Sequence, residues 1–541
     1  MSFSSSSLLA FVLLTIACYR WGMSRTRAPL PPGPKRLPLI GSLLNSLPAR
    51  LGLKAPNPNP LYQQFLEIGK ECNSDIIHID VLGDHTVVLN SVKAVTELLD
   101  HRNSNYSDRP VMHMVDDLMG WEWDFAHMGY SDRWRRHRKT FQHYFQPQAI
   151  TEYHPFQRKA ATELLHKLFT TPQPEPLELE GWIRHHAGSI ILRVTYGITS
   201  PEDKDFYVDL ANRAITPIIH AGNHGTYLVD YFPLLKYVPA WFPGADFKRK
   251  AQVWSQYSYD LRERPWDKIQ SEINFGNASE CFVTKNLELI DSGVQSELNR
   301  DQMDVVETIK NCAGVAYLAG SDTSVSLVCS AILALLTHPE VQERAQAELD
   351  SVLGTGSRAR LPDYTDREDL PYLSAIINET LRMYPITPLA LPHHSLEDDF
   401  YEGYYIPKGS TVVGNSWAIL HDEKLYPDPM TYNPSRFLKH KAADSDEEVQ
   451  PQPNPAMYAF GFGRRICPGR WLALDTAWLV ISCILATCTI KKGLDSNGKE
   501  IEPVVEYEDG LVDHPVPYKC QFVPRSKAAL KLMRNGFLAE D

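Results

Sequence analysis

Phe460 to Trp471 reads FGFGRRICPGRW, with one cysteine among three glycines, three arginines and two phenylalanines. A lone buried cysteine ordinarily serves as a small hydrophobe, but Cys467 sits in a cationic, glycine-rich loop just ahead of a long apolar segment. A thiolate that ligates iron needs its charge balanced and its sulfur held by backbone N–H groups. Gly463 and Gly469 let the backbone approach, and Arg465 supplies positive charge. Pro468 and Gly469 lead into RWLALDTAWLVISCILATC, a helix whose positive end would face the sulfur and lower its pKa. A cysteine nucleophile would use similar electrostatics. No histidine lies nearby in sequence, and Phe460 and Phe462 suit a flat hydrophobic cofactor. A histidine brought in by the fold would still serve the nucleophile reading.

Two further groupings could do chemistry. AGSDTS, Ala319 to Ser324, places Gly320, Asp322 and Thr323 inside a helical pattern they disfavour. Ala319 and Gly320 stand four and three residues before Thr323, so the three share a face. Small residues beside a hydroxyl leave room for a small ligand, and Asp322 could supply protons. A close helix–helix contact through small residues is the competing account. In NETLRMYP, Asn378 to Pro385, Glu379 and Arg382 are three apart and can pair on a helix. Flanking Ile376, Ile377, Leu381 and Met383 imply burial, which is costly for a lone ion pair. A third partner is therefore expected, and Arg436 in NPSRF is the candidate.

The elements that must position these groups are mostly helical. Windows with three- and four-residue apolar spacing dominate after residue 41, the longest running from Val305 to Thr337. Alternation over Ile76–Asn90 and Thr411–Asn415 predicts a minor sheet component. His440 to Pro455 is acidic and proline-rich and reads as a surface insertion. One large α-rich domain over residues 29–541 is the simplest organisation for 541 residues that are 43% hydrophobic. The formal net charge of −12 argues against nucleic acid as a partner. Nine cysteines without a CxxC pair suit a reducing compartment. Leu8 to Tyr19 is uncharged and apolar with basic residues after it, which predicts a retained single-pass anchor over residues 1–28 and a cytosolic body. A cleaved signal peptide and a buried helix are the competing accounts. Leu30 to Gly41, with four prolines, reads as a stiff hinge over residues 29–41.

Taken jointly, these residues resemble the cytochrome P450 superfamily of haem-thiolate monooxygenases. The haem-loop pattern F-x-x-G-x-R-x-C-x-G is met by Phe460, Gly463, Arg465, Cys467 and Gly469. Ala319, Gly320, Asp322 and Thr323 resemble the oxygen-activation motif, Glu379 and Arg382 the E-x-x-R motif, and Trp134 and Arg138 the W-x-x-x-R motif. The resemblance implies a mainly α fold with small sheets behind an N-terminal anchor helix. It implies haem b with Cys467 as iron ligand, the haem propionates held by Trp134, Arg138, His393 and Arg465, and a structural triad of Glu379, Arg382 and Arg436. His394, adjacent to His393, competes for that propionate role. Where the family usually has P-E-R-F, this chain has Pro434, Ser435, Arg436 and Phe437. YEGYYIPKGSTVVGN and HPVPYKC resemble fungal microsomal members similar to O-methylsterigmatocystin oxidoreductase.

The expected activity is insertion of one oxygen atom from O2 into a lipophilic, polycyclic, terpenoid or polyketide-like substrate. Electrons would come from NADPH through NADPH–cytochrome P450 reductase, with cytochrome b5 as an optional second donor, at the endoplasmic reticulum membrane. Secondary metabolism and xenobiotic oxidation are the settings this implies. Asp322 and Thr323 would deliver protons. The rival readings are a P450-fold isomerase or dehydratase that does not need O2, and a non-enzymatic haem- or lipid-binding membrane protein. Met112 to Met128 resembles the family's variable loop over the haem, so Trp121, Trp123, Ala319, Thr387, Leu389 and Leu511 are expected near the substrate pocket. Tyr227 to Gly244, apolar and proline-punctuated, is either core or a segment that dips into the membrane.

Overall fold

The computed structural model describes residues 28–35, 59–81, 83–222, 225–291, 302–441 and 448–536. The anchor segment, the hinge beyond residue 35 and residues 442–447 of the acidic insertion lie outside the described residues. The chain forms two compact units. Of the described residues, the smaller comprises those from Ala28 to Pro110, Leu389–Ile419 and Phe462–Arg464, and the larger those within Val111–Pro388, within Leu420–Gly461 and from Arg465 to Gly536.

The smaller unit is built on the alternating stretches. Helix α1 (Leu61–Cys72) ends at Asn73 in the left-handed region. Strands β1 (Ile76–Val81) and β2 (Asp84–Leu89) pair antiparallel, Ile76 opposite Leu89. Strands β3 (His393–His394), β4 (Asp399–Tyr401), β5 (Tyr404–Ile406) and β6 (Thr411–Gly414) come from the far end of the chain. β6 runs parallel to β2 and antiparallel to β3, giving the order β1-β2-β6-β3, while β4 and β5 form a separate ribbon. Phe65, Ile77, Val88 and Val413 make its core, with Leu389 packed against them. The hinge residues lie on these strands: Pro32 accepts from His78 N and Pro29 from Tyr405 N, both at 2.8 Å. A Cβ on Gly33 would stand 2.0 Å from the His78 carbonyl oxygen, so only glycine passes there.

The larger unit is a helical stack. It comprises α2 (Asp132–Phe145), α3 (His154–Thr170), α4 (Pro176–Tyr196), α5 (Pro201–Ala221), α6 (Asp246–Asn274), α7 (Phe282–Asp291), α8 (Gln302–Gly320), α9 (Thr323–Thr337), α10 (Pro339–Leu353), α11 (Pro371–Met383), α12 (Arg470–Thr487) and α13 (Lys527–Asn535). Strands β7 (Cys488–Lys492) and β8 (Cys520–Pro524) pair antiparallel. Met303–Thr337 and Arg470–Thr487 are apolar and long enough to cross a membrane, but both lie mostly inside the protein and form its core.

One expectation is corrected here. The pattern from Val305 to Thr337 is not one helix: α8 stops at Gly320, Ser321 and Asp322 turn, and α9 starts at Thr323. The apolar period continues across the break, but the backbone cannot. Ser321 Oγ donates to Tyr317 O (2.7 Å) and Thr323 Oγ1 to Ala319 O (2.9 Å), the local competition that bends helices. Asp322 O then accepts from Val325 N and Ser326 N to begin α9.

Candidate active site

Cys467 lies in the turn before α12, with its N–H donating to Phe460 O at 2.8 Å, so the loop closes on itself. Its sulfur faces the backbone N–H groups of Gly469 and Arg470. Burial pushes the thiol up from its usual value, more than those N–H groups, Arg138 and Arg470 bring it down. Those N–H groups and cations favour the thiolate form that a bound iron would require. Phe460 packs on the edge of the core of the larger unit. Gly463 belongs to the smaller unit, where φ is +55° and a Cβ would lie 2.2 Å from Leu99 O.

Helix α2 starts at Ser131, whose hydroxyl accepts from Trp134 N, and this start places Trp134 and Arg138 one turn apart. Arg465 stacks on Trp134, 4.2 Å from the ring centroid, and donates to Met128 O at 2.8 Å. Arg138 is half-buried and meets no carboxylate among the described residues. Burial pushes its guanidinium down to about 10, offset only in part by the Cys467 sulfur. A desolvated guanidinium without an acidic partner is expensive, and an anionic group of a bound cofactor would supply that partner. His393, on β3 of the smaller unit, is buried and its Nδ1 faces Tyr106 O at 2.6 Å. Its neighbour His394 is half-buried, with Asp108 at 3.6 Å.

From Asn311 to Leu336 every residue is buried except Ala319, Gly320 and Thr323, the three expected on one face. Ala319 and Thr323 leave that face open, while a Cβ on Gly320 would press on Ile191 of α4 at 3.0 Å. The motif thus holds both readings: Gly320 serves a helix contact, and its neighbours border space.

Asp322 is sealed in the larger unit. Arg184 Nη1 donates to its Oδ1 at 2.6 Å and His514 Nε2 to its Oδ2 at 3.1 Å. Burial alone would push the carboxyl up; the hydrogen bond and charge of His514, then Arg184, outweigh it and hold it low. Arg184 and His514 went unread in the sequence because they lie 138 and 192 residues from Asp322. The available signal was the aspartate itself, a charge in an apolar helix that demands cations.

Glu379, Arg382 and Arg436 come together. Arg382 donates from Nε to Glu379 Oε2 at 2.7 Å and from Nη2 to Oε1 at 2.9 Å, Arg436 Nε donates to Oε1 at 3.1 Å, and Asn433 N adds a fourth donor. Where the family pattern has glutamate, Ser435 Oγ instead accepts from Arg344 at 2.7 Å.

Of the expected pocket residues, Ala319 is exposed near the end of α8. Trp121 and Trp123 are buried in the core of the larger unit, rings 5.2 Å apart. Trp123 presses on Gly314 and donates to Ser258 Oγ at 3.1 Å. Thr387 is half-buried. Leu389 packs in the smaller unit. Leu511 meets the end of α5, where a Cβ on Gly222 would lie 2.7 Å from its side chain.

The family model described as Cytochrome P450 matches residues 31–522. The chain belongs to the cytochrome P450 family. A cytochrome P450 monooxygenase of Armillaria gallica is 41% identical over 96% of this chain and 97% of that protein. Cytochrome P450 monooxygenase 98 of Postia placenta is 41% identical over 94% and 92%. A tryptamine 4-monooxygenase of Psilocybe cyanescens is 36% identical over 97% and 98%. This P450 is therefore an oxidoreductase of the monooxygenase class, and its family implies a haem-thiolate iron.

Proposed function

We propose that this P450 inserts one atom of O2 into a lipophilic polycyclic, terpenoid or polyketide-like substrate. Electrons come from NADPH through NADPH–cytochrome P450 reductase, with cytochrome b5 as a second donor. The observation that carries the reading is the pairing of Cys467, in its N–H-lined turn, with Arg138, which meets no carboxylate among the described residues. Cys467 would ligate the iron of haem b, and Trp134, Arg138 and Arg465 would hold the propionates. Phe460, Gly463 and Gly469 would shape the loop, and His393 is proposed for a propionate on its motif alone. When bound, the haem supplies the oxygen activation, with thiolate ligation favouring O–O cleavage.

The chain's own residues hold the site and move protons. Thr323 is the hydroxyl at the open face, and Asp322 is the acid one residue before it. Arg138 and Arg465 neutralise anionic charge, while the apolar core around α8 excludes water. The isomerase and binding-protein readings find no support in relatives named as monooxygenases.

The test is the spectrum of the reduced carbon monoxide complex. Native protein should show the thiolate-type band and Cys467→Ala should lose it. A retained band would assign the ligand to another of the nine cysteines. A reductase-coupled panel of steroids, terpenes, aromatic polyketides and tryptamine, the last chosen for the relative named after it, should then yield an NADPH- and O2-dependent product.

For location, we propose an endoplasmic reticulum protein with residues 1–28 as anchor and 29–541 as the cytosolic catalytic body. An exposed apolar ridge supports this. Leu228, Phe232, Leu234, Tyr237, Trp241 and Phe242 are all solvent-facing, Leu234 at 80% and Trp241 at 79%. Such a ridge marks an interaction surface, and a lipid surface would let substrate pass in from the bilayer. Trp241→Ser with Phe242→Ser, in protein lacking residues 1–28, should lower liposome binding and keep the haem spectrum.

A further inference from the structure

Asp322 has two basic partners that differ in kind. Arg184 on α4 stays charged at any working pH, whereas His514 carries a dissociable proton. Arg184 also pairs with Glu180 at 2.8 Å, so it is anchored without Asp322. His514 is anchored by its segment. Leu511 N donates to Ile219 O near the end of α5 (3.4 Å), Asp513 N donates to Ile386 O (2.9 Å), and Asp513 O accepts from Ser326 Oγ on α9. The six residues from Gly510 to Pro515 therefore touch the end of α5, the stretch before Thr387 and the helix break. His514 also borders a small, partly open cleft shared with Glu180, Cys329, Pro515 and Tyr518.

We infer that His514 is a positioning residue that recharges Asp322 with protons, and that its segment ties this supply to the packing of Leu511 on the end of α5. The inference rests on Asp322 being the proton-handling acid. Held between Arg184 and a protonated His514, Asp322 is an anion and must gain a proton before it can pass one on. Only His514 can give it. The Nε2–H bond breaks, an Oδ2–H bond forms, and the imidazolium becomes neutral. A proton from bulk solvent, relayed by water at the cleft, then returns the ring to imidazolium. The charged or titratable groups facing His514 are Asp322, Arg184, Glu180, Cys329 and Tyr518, with Asp513 beside it in sequence. Burial would push the ring down, but the hydrogen bond and charge of Asp322 outweigh it and hold the ring above its usual value.

The experiment uses full-length holoenzyme with reductase and no added substrate, and reads peroxide formed per NADPH. Two electrons and two protons take O2 to peroxide, and four of each take it to water, so starved proton supply favours peroxide. His514→Phe should raise peroxide per NADPH several-fold with the carbon monoxide band intact. His514→Gln keeps a donor to Oδ2 but cannot titrate. Native protein should show a step in peroxide yield as pH rises above about 6.5, and His514→Gln should be flat. Leu511→Ala should move the midpoint of the step. Unchanged yield and an unchanged step in the His514 variants would overturn the inference. If His514→Phe fails to load haem, the His514→Gln profile decides alone. Carbon-13 labelling of histidine Cε1 checks the pair directly: the resonance lost in His514→Gln should titrate above the usual histidine value of about 6.5 and fall back in Asp322→Asn. If Asp322→Asn leaks peroxide but the His514→Gln profile is native, only this inference fails. If Asp322→Asn does not leak, Asp322 is not the acid, and both fail.

Discussion

Glu379 and Asp322 are both shut away from solvent, at 0% and 1% exposure, and each meets two basic side chains. Their settings differ. The arginines around Glu379 also donate to backbone carbonyls of Leu420, Pro427, Pro429 and Thr431, which stitches α11 to the loops beyond β6. Around Asp322, Arg184 donates to the carboxylates of Asp322 and Glu180, and His514 is a titratable ring beside a cleft. Burying a charge costs free energy unless every donor and acceptor is met. Glu379 meets that condition with partners that cannot change state, as befits a lock. Asp322 meets it with one partner that can, as befits a site where protons move.

Breaking the lock should have the largest effect. Glu379→Ala leaves Arg382 and Arg436 buried without their carboxylate, a loss of about 3–5 kcal/mol, and little haem-loaded protein should be recovered. Normal recovery would remove the distinction drawn between the two carboxylates. Asp322→Asn should cost less, because Arg184 keeps Glu180; chemical denaturation should show a loss of about 1–3 kcal/mol, while peroxide rises at the expense of product. Thr323→Ala should give the same uncoupling with stability close to native, and unchanged coupling would favour a packing role for AGSDTS.

The third way to sharpen the comparison is pH. His514 is raised in the folded protein, so its contribution is whole below its unfolded value of about 6.5 and fades as pH climbs through the raised folded value. Asp322 is lowered, so its contribution is whole above about 3.9 and fades as pH falls through the depressed folded value. The pair therefore stabilises most between about 4 and 6.5. The difference in denaturation midpoint between native protein and Asp322→Asn should shrink on either side of that window. The smallest effect belongs to Ser435→Glu, which restores the family's residue opposite Arg344. Exposed pairs of this kind contribute less than about 1 kcal/mol, and a shift beyond that would mean the serine matters to the lock.

Legibility in the sequence followed distance along the chain. The Cys467 loop could be read because its loop residues fall within ten positions, and Glu379 with Arg382 because three residues make a helical neighbour. Arg436 was reachable by asking what a buried pair still lacks. Arg184 and His514 carry no local mark, and only the fold brings them to Asp322. The helix break was half legible. Gly320, Asp322 and Thr323 were out of place, yet the apolar period ran on through them. Trp123 looks alike from sequence whether it lines a pocket or fills a core, and its seat on Gly314 and Ser258 is a tertiary fact.

The parallel pairing of β2 with β6 has a consequence for how the protein is made. Asn90, just after β2, accepts from Asn415 Nδ2, just after β6, across 325 residues of intervening chain. Contacts of such high sequence separation form slowly, since a long loop must close before any of them is rewarded. During synthesis β2 emerges early and must wait, edge unpaired, until β6 leaves the ribosome. Within the larger unit, α3, α4 and α5 follow one another in sequence and pack on one another, so they can begin to condense meanwhile. The nascent chain thus carries an open strand edge for most of its synthesis, and that interval is when chaperones matter most to its yield.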